Sequence, residues 1–118
     1  MSLPATDNVF GEFCCSGSLE KLAEVLRAHL DLRAEQVWVK RSNATNEQTI
    51  RLQHSTADFE SERIDAKDTY LFNGRVKGSR EDVLAYVERL YTVLSINGFS
   101  PEFEIYQDGS YLHSFGNV

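Results

Sequence analysis

Two stretches of this chain repeat apolar residues with the period of an α-helix. In the first, Leu19, Leu22, Leu26 and Leu30 fall on one stripe, which predicts a helix from Leu19 to about Leu30. In the second, Val83, Val87, Leu90 and Leu94 do the same, which predicts a helix from Arg80 to about Asn97. Gly98 stands where a left-handed residue would end that helix. Both helices are announced by Gly-Ser, at Gly17-Ser18 and Gly78-Ser79. The serine hydroxyl can accept from an orphan N–H of the first turn, and an acid follows, Glu20 or Glu81, where the helix dipole favours it. Elsewhere the period drops to two, and "QVWVKR", "TIRLQH", "EFEIYQ" and "SYLHSF" read as strands.

The chain resembles itself. "CCSGSLEKLAEVL" from Cys14 aligns with "RVKGSREDVLAYV" from Arg75, and each half reads strand, helix, strand, strand. This predicts one α+β domain over residues 1–118, with repeat halves at about 8–55 and 68–118. Two βαββ repeats form a two-layer sandwich, a mostly antiparallel sheet with both helices on one face. A ferredoxin-like βαββαβ core with extra strands is the alternative that the same elements allow. The first hairpin turns through the polar "SNATNEQ"; the second turns at Asp108-Gly109, the pair that a type I′ turn favours. Between the halves, "HSTADFESERIDAK" is charged and weakly periodic, and it reads as a mobile surface loop with Asp58, Glu60, Glu62 and Asp65 as solvated charge.

Composition narrows the function classes. The chain has 118 residues, 42% of them hydrophobic and 25% charged, which is ordinary for one globular domain. The net charge is −6 and no Lys/Arg stripe occurs, so the electrostatic footprint of nucleic-acid binding is missing. No apolar run approaches the roughly 18 residues that span a bilayer, and the first residues lack a basic start and an apolar signal core. The expectation is a cytoplasmic protein without membrane contact. The two cysteines, Cys14 and Cys15, are neighbours, a spacing that strains a disulfide, and both read as reduced thiols. The repeat alignment puts Cys15 on the core side with Val76, and Cys14 outward with Arg75.

"FNGRVKGS" resembles the acylphosphatase signature, in which a strand ending V-x-G-x-V-Q-G leads to a loop of backbone N–H groups and an arginine that grip phosphate. The resemblance covers eight residues. The position four past Gly78, which carries the arginine in that family, is Asp82, whose charge repels phosphate, and "EFEIY" offers no asparagine to orient a water. Acyl-phosphate chemistry is therefore not expected. Cys15 precedes a helix N-terminus, where a thiol pKa can fall, but no histidine is linked to it by a motif. Neither Cys-x-x-Cys, His-x-x-x-His nor a calcium-loop pattern occurs, so no metal and no cofactor are predicted.

Aromatic residues carry the remaining signal. If Val37, Val39, Phe103 and Ile105 face the helices, Trp38, Glu104 and Tyr106 face the other way. Pairing through the Asp108-Gly109 turn adds Tyr111, His113 and Phe115 to that open face and sets Glu104 opposite His113. A face with four or more aromatics predicts a protein interface. The expectation is a non-enzymatic binding protein that forms a homodimer or covers this face with a partner protein; a neutraliser of a basic partner, of the immunity or antitoxin type, is one member of that class. The competing expectation is a small-molecule binder or enzyme that uses Glu104 and His113 among aromatic walls.

Overall fold

A computed structural model describes residues 2–64 and 68–116. The elements are β1 (Val9–Cys14), α1 (Leu19–Leu30), β2 (Val37–Arg41), β3 (Gln48–Gln53), β4 (Ala57–Arg63), β5 (Thr69–Val76), α2 (Arg80–Ile96), β6 (Glu102–Gln107) and β7 (Ser110–Phe115). The fold is α+β: a seven-stranded sheet in the order β2-β3-β4-β5-β1-β6-β7, with two helices. Every neighbouring pair is antiparallel, so β1, β2, β4 and β7 run one way and β3, β5 and β6 the other. Each helix therefore links two parallel strands that are not neighbours: α1 carries the chain from β1 to β2, and α2 from β5 to β6.

Both helices begin as their sequences direct. The Ser18 hydroxyl accepts from the Glu20 N–H at 3.1 Å. Ser79 and Asp82 close a reciprocal capping box: the Asp82 N–H donates to Ser79 Oγ at 3.2 Å, and the Ser79 N–H donates to Asp82 Oδ2 at 3.1 Å. Asp82 thus occupies the Gly78 turn that the acylphosphatase resemblance would leave to phosphate. Leu19, Leu22 and Leu26 of α1 and Val83, Val87, Leu90 and Leu94 of α2 are buried against the sheet. From the sheet they meet Phe13, Phe59, Phe72, Phe103, Ile50 and Ile105, all with essentially no exposure. Two glycines let this aromatic layer lie flat: a Cβ at Gly74 would sit 2.5 Å from Phe59 Cγ, and one at Gly11 would collide with the Phe103 ring.

Three expectations require correction. The segment read as a mobile loop contains β4, whose Ala57, Phe59 and Ser61 alternate inward. Small and polar residues at two of those three positions hide the alternation. Ser61 completes its ladder by accepting from the Ile50 N–H at 2.9 Å. Asp58 is not solvated: it is 6% exposed and sits between two arginines. Asp65 lies outside the described residues. The third correction concerns the last hairpin. Tyr106 opposes Tyr111 as expected, but a bulge at Leu112 then shifts the register, so that His113 opposes Ile105 and Glu104 opposes Ser114. Glu104 and His113 are not cross-strand partners. His113 and Phe115 turn to the helix side, where Phe115 stacks on Tyr91 of α2 at 5.6 Å and His113 meets Phe115 edge-on at 4.7 Å. An unbroken ladder would leave the Phe115 ring in water; the bulge packs it under α2.

Candidate functional site

The sheet face away from the helices divides into two chemically different halves. Across β2 to β5 it carries a connected ion-pair network. Asp58 Oδ1 accepts from Arg51 Nη2 at 2.6 Å and Nε at 3.1 Å, and Oδ2 accepts from Arg75 Nη2 at 2.8 Å. Arg51 also reaches Glu60 at 3.3 Å, and Lys40 reaches Glu60 at 3.0 Å. Burial alone would raise the Asp58 pKa; hydrogen bonds and charge from Arg51 and Arg75 outweigh it and hold the carboxyl below its ordinary value. Arg75 Nη1 further donates to the Pro4 carbonyl at 3.3 Å, which ties the N-terminal segment across this face. This half is internally satisfied, as a structural network is.

The other half, across β1, β6 and β7, is not. Phe10 packs edge-to-face on Tyr106 at 5.7 Å, and Tyr106 on Tyr111 at 5.9 Å. Phe10 and Tyr111 remain 42% and 59% exposed, among the largest exposed apolar side chains. Beside them stand Glu12, Glu102 and Glu104. Glu12 lies directly across the ladder from Glu102, and Phe10 from Glu104. Among the described residues none of the three carboxylates forms an ion pair; Glu104 accepts from the Tyr106 hydroxyl at 3.0 Å. That hydrogen bond to a carboxylate raises the Tyr106 pKa, so the phenol stays a neutral donor. Like charges opposed across a ladder destabilise a sheet. Among the described residues no cation pairs with them to relieve that cost. Phe10, Glu12, Leu71, Asn73, Glu102 and Glu104 help to line a cleft of about 260 Å³ in this half.

The predicted site residues are thus brought together only in part. Tyr106, Tyr111 and Glu104 share the acidic, aromatic half. Trp38 is on the same face but opposite Arg51, on the far edge strand. With five strand spacings between β2 and β6, at about 4.8 Å each, it is roughly 24 Å away. The expected cluster of four aromatics does not form, and His113 and Phe115 are on the other face. Phe10, Glu12 and Glu102 were not foreseen. The signal was present in "VFGEFC": Gly11 between Val9 and Phe13 breaks the apolar alternation, yet it takes an inward place and so sends Phe10 and Glu12 outward.

Among the described residues no group of three or more His, Cys, Asp or Glu side chains is placed to hold a metal ion, and no helix is long and apolar enough to cross a membrane. Comparison with protein-family models, curated proteins and solved structures finds no match for the chain.

Proposed function

We propose that this is a non-enzymatic protein-binding domain whose acidic, aromatic sheet half takes a basic segment of a partner protein. The carrying observation is the trio Glu12, Glu102 and Glu104, unpaired among the described residues, beside the exposed rings of Phe10, Tyr106 and Tyr111. A lysine or arginine there would relieve the repulsion between Glu12 and Glu102 and stack on an aromatic face. Two copies meeting face to face through this half would instead oppose like charges, which favours a different partner over a homodimer. An immunity or antitoxin role fits this reading as one member of its class, as does a cytoplasmic location.

The fold is read here as a ferredoxin-like core. Strands β6-β1-β5-β4 stand in the order 4-1-3-2 of a βαββαβ chain, with the β2–β3 hairpin inserted after α1 and β7 appended. The strand-helix-strand-strand likeness of the two halves supports an internal repeat within that core. Such a fold hosts many functions, so the site carries the argument.

Affinity capture from the native host with wild type and with Glu102→Lys/Glu104→Lys tests the reading, alongside light scattering. The expected result is a basic protein held by the wild type, released by salt and lost in the variant. Identical captures by both forms, or a wild-type homodimer that the charge reversal leaves intact, would sink it. A second reading rests on a cleft of about 540 Å³ lined by Pro4, Phe10, Val76, Val83, Tyr106 and Asp108, whose walls are largely apolar and suit a small molecule.

A further inference from the structure

A cleft of about 750 Å³ opens at the end of the sheet where α1 begins. Strand alternation aims two arginines into it. Arg41 follows Val37 and Val39 on the helix side of β2, and Arg63 follows Phe59 and Ser61 on the helix side of β4. Tyr70 lies directly across the ladder from Arg63. Its ring is 4% exposed and stacked on Phe13 at 5.1 Å, yet it lines the cleft, and its hydroxyl has no hydrogen-bond partner among the described residues. The hydroxyl therefore opens to the cleft, where a bound group can accept from it. Burial raises its pKa, so at neutral pH the hydroxyl is a donor. Other walls are the start of α1, a helix of 12 residues, at Gly17 and Ser18, and the β2–β3 turn from Thr45 to Gln48.

The two helix starts differ in a way that bears on this cleft. At α2 the Ser79 N–H is taken by Asp82, as the capping box requires. At α1 the corresponding residue is Lys21, no acid reaches back, and the N–H groups of Gly17 and Ser18 have no partner among the described residues. Arg41 gives a hydrogen bond to the neutral Asn46 amide at 3.2 Å and, among the described residues, forms no ion pair with a carboxylate. Among the described residues two acids temper the field: Asp68 pairs with Arg63 at 3.4 Å, and Glu47 lines the cleft.

We propose that this cleft is a binding site for a phosphate-class oxyanion, held by Arg41, Arg63, the Tyr70 hydroxyl and the Gly17 and Ser18 N–H groups. Guanidinium, phenol and helix-start amides all complement a doubly charged tetrahedral group. Glu47 opposes the same charge and sets the affinity low. The site is independent of the acidic sheet half, which lies on the opposite face.

Titration with inorganic phosphate, followed through the backbone amide spectrum and matched by chloride at equal ionic strength, tests the proposal. Saturable shifts centred on Gly17 and Ser18 are expected. Arg41→Ala should weaken phosphate about tenfold and Tyr70→Phe severalfold, each through one lost hydrogen bond. Glu47→Gln should tighten it, an effect that only a site for negative charge shows. Tyr70→Phe keeps the ring on Phe13, and a native-like amide spectrum confirms that each variant is folded. Shifts that chloride reproduces, failure to saturate at any attainable concentration, or an affinity unmoved by Arg41→Ala and Tyr70→Phe together overturn the proposal.

Discussion

Replacing Asp58 by Asn keeps the shape of the side chain and removes its charge from between Arg51 and Arg75. In the wild type both carboxylate oxygens are used, by Arg51 at 2.6 Å and 3.1 Å, by Arg75 at 2.8 Å and by Gln53 at 3.4 Å. Breaking a fully buried ion pair from one side costs about 3–5 kcal/mol. Here Arg51 and Arg75 keep 25% and 33% of their side-chain surface in water, and Arg51 retains Glu60. Solvent therefore screens the charges left behind, and a loss of about 2–3 kcal/mol is expected. In urea, with a slope near 1.5 kcal/mol/M, the midpoint should fall by about 1.3–2 M. Acid supplies the internal control. The folded pKa of Asp58 is lowered from 3.8, so its contribution is present above the unfolded value and is lost as pH falls through the folded one. The gap between wild type and Asp58→Asn should close below about pH 4. A gap under about 1 kcal/mol at neutral pH, or one that persists in acid, would refute the assignment of this network as a stabilising one.

Three further outcomes follow from the packing. Gly74→Ala places a methyl 2.5 Å from the Asp58 carbonyl oxygen and the Phe59 ring, and it should cost about 1–3 kcal/mol in a urea melt; an unchanged midpoint would mean that Phe59 does not lie over Gly74. His54 accepts the Thr56 N–H through Nδ1 at 3.2 Å and bonds the Tyr86 hydroxyl through Nε2 at 2.8 Å, so the ring is held neutral, and burial lowers its pKa from 6.5. Stability from this group is present above pH 6.5 and lost as pH falls through the folded pKa; a midpoint drop between pH 7.5 and 5.5 should shrink in His54→Gln, and equal drops would assign it to another group. Cys14 is exposed while Cys15 is buried, and burial raises the Cys15 thiol pKa, so a thiol reagent should modify one cysteine quickly and the other only on unfolding; two fast thiols would reject this strand register.

Where backbone period and side-chain chemistry agree, the sequence is readable. Helix α1 begins and ends where its leucine stripe and Ser18 cap place it, and Asp108-Gly109 makes its turn with φ of 52° and 80°. The burial of Cys15 followed from its alignment with Val76. What escaped reading lacks a local signature. Strand β4 carries its inward positions on Ala57, Phe59 and Ser61, too little apolar contrast to display period two. The bulge at Leu112 goes with the packing of Phe115 on Tyr91, a tertiary contact that no hairpin rule contains. One added residue moved His113 and Phe115, two of the six foreseen site residues, to the other face. Trp38 was assigned the correct face, but the strand order that separates it from Tyr106 is a property of the whole sheet. The cleft residues Arg41, Arg63 and Tyr70 come from three strands and meet only because the β4–β5 ladder and the β2–β3 hairpin end together.

The place of β1 has a bearing on how the chain is made. Its two neighbours are β5, at Thr69–Val76, and β6, at Glu102–Gln107, so both partners of β1 are made only after α1 and the β2–β3–β4 ladder. At roughly 5–20 residues per second on the ribosome, "VFGEFC" waits several seconds with both edges bare. During that interval only α1 and the β2–β3–β4 ladder can form locally, and neither covers it. Long-range closure of this kind slows folding and exposes strands to the wrong partners. Gly11 and Glu12, in the middle of β1, interrupt its apolar run and weaken it as a template for aggregation until β6 arrives.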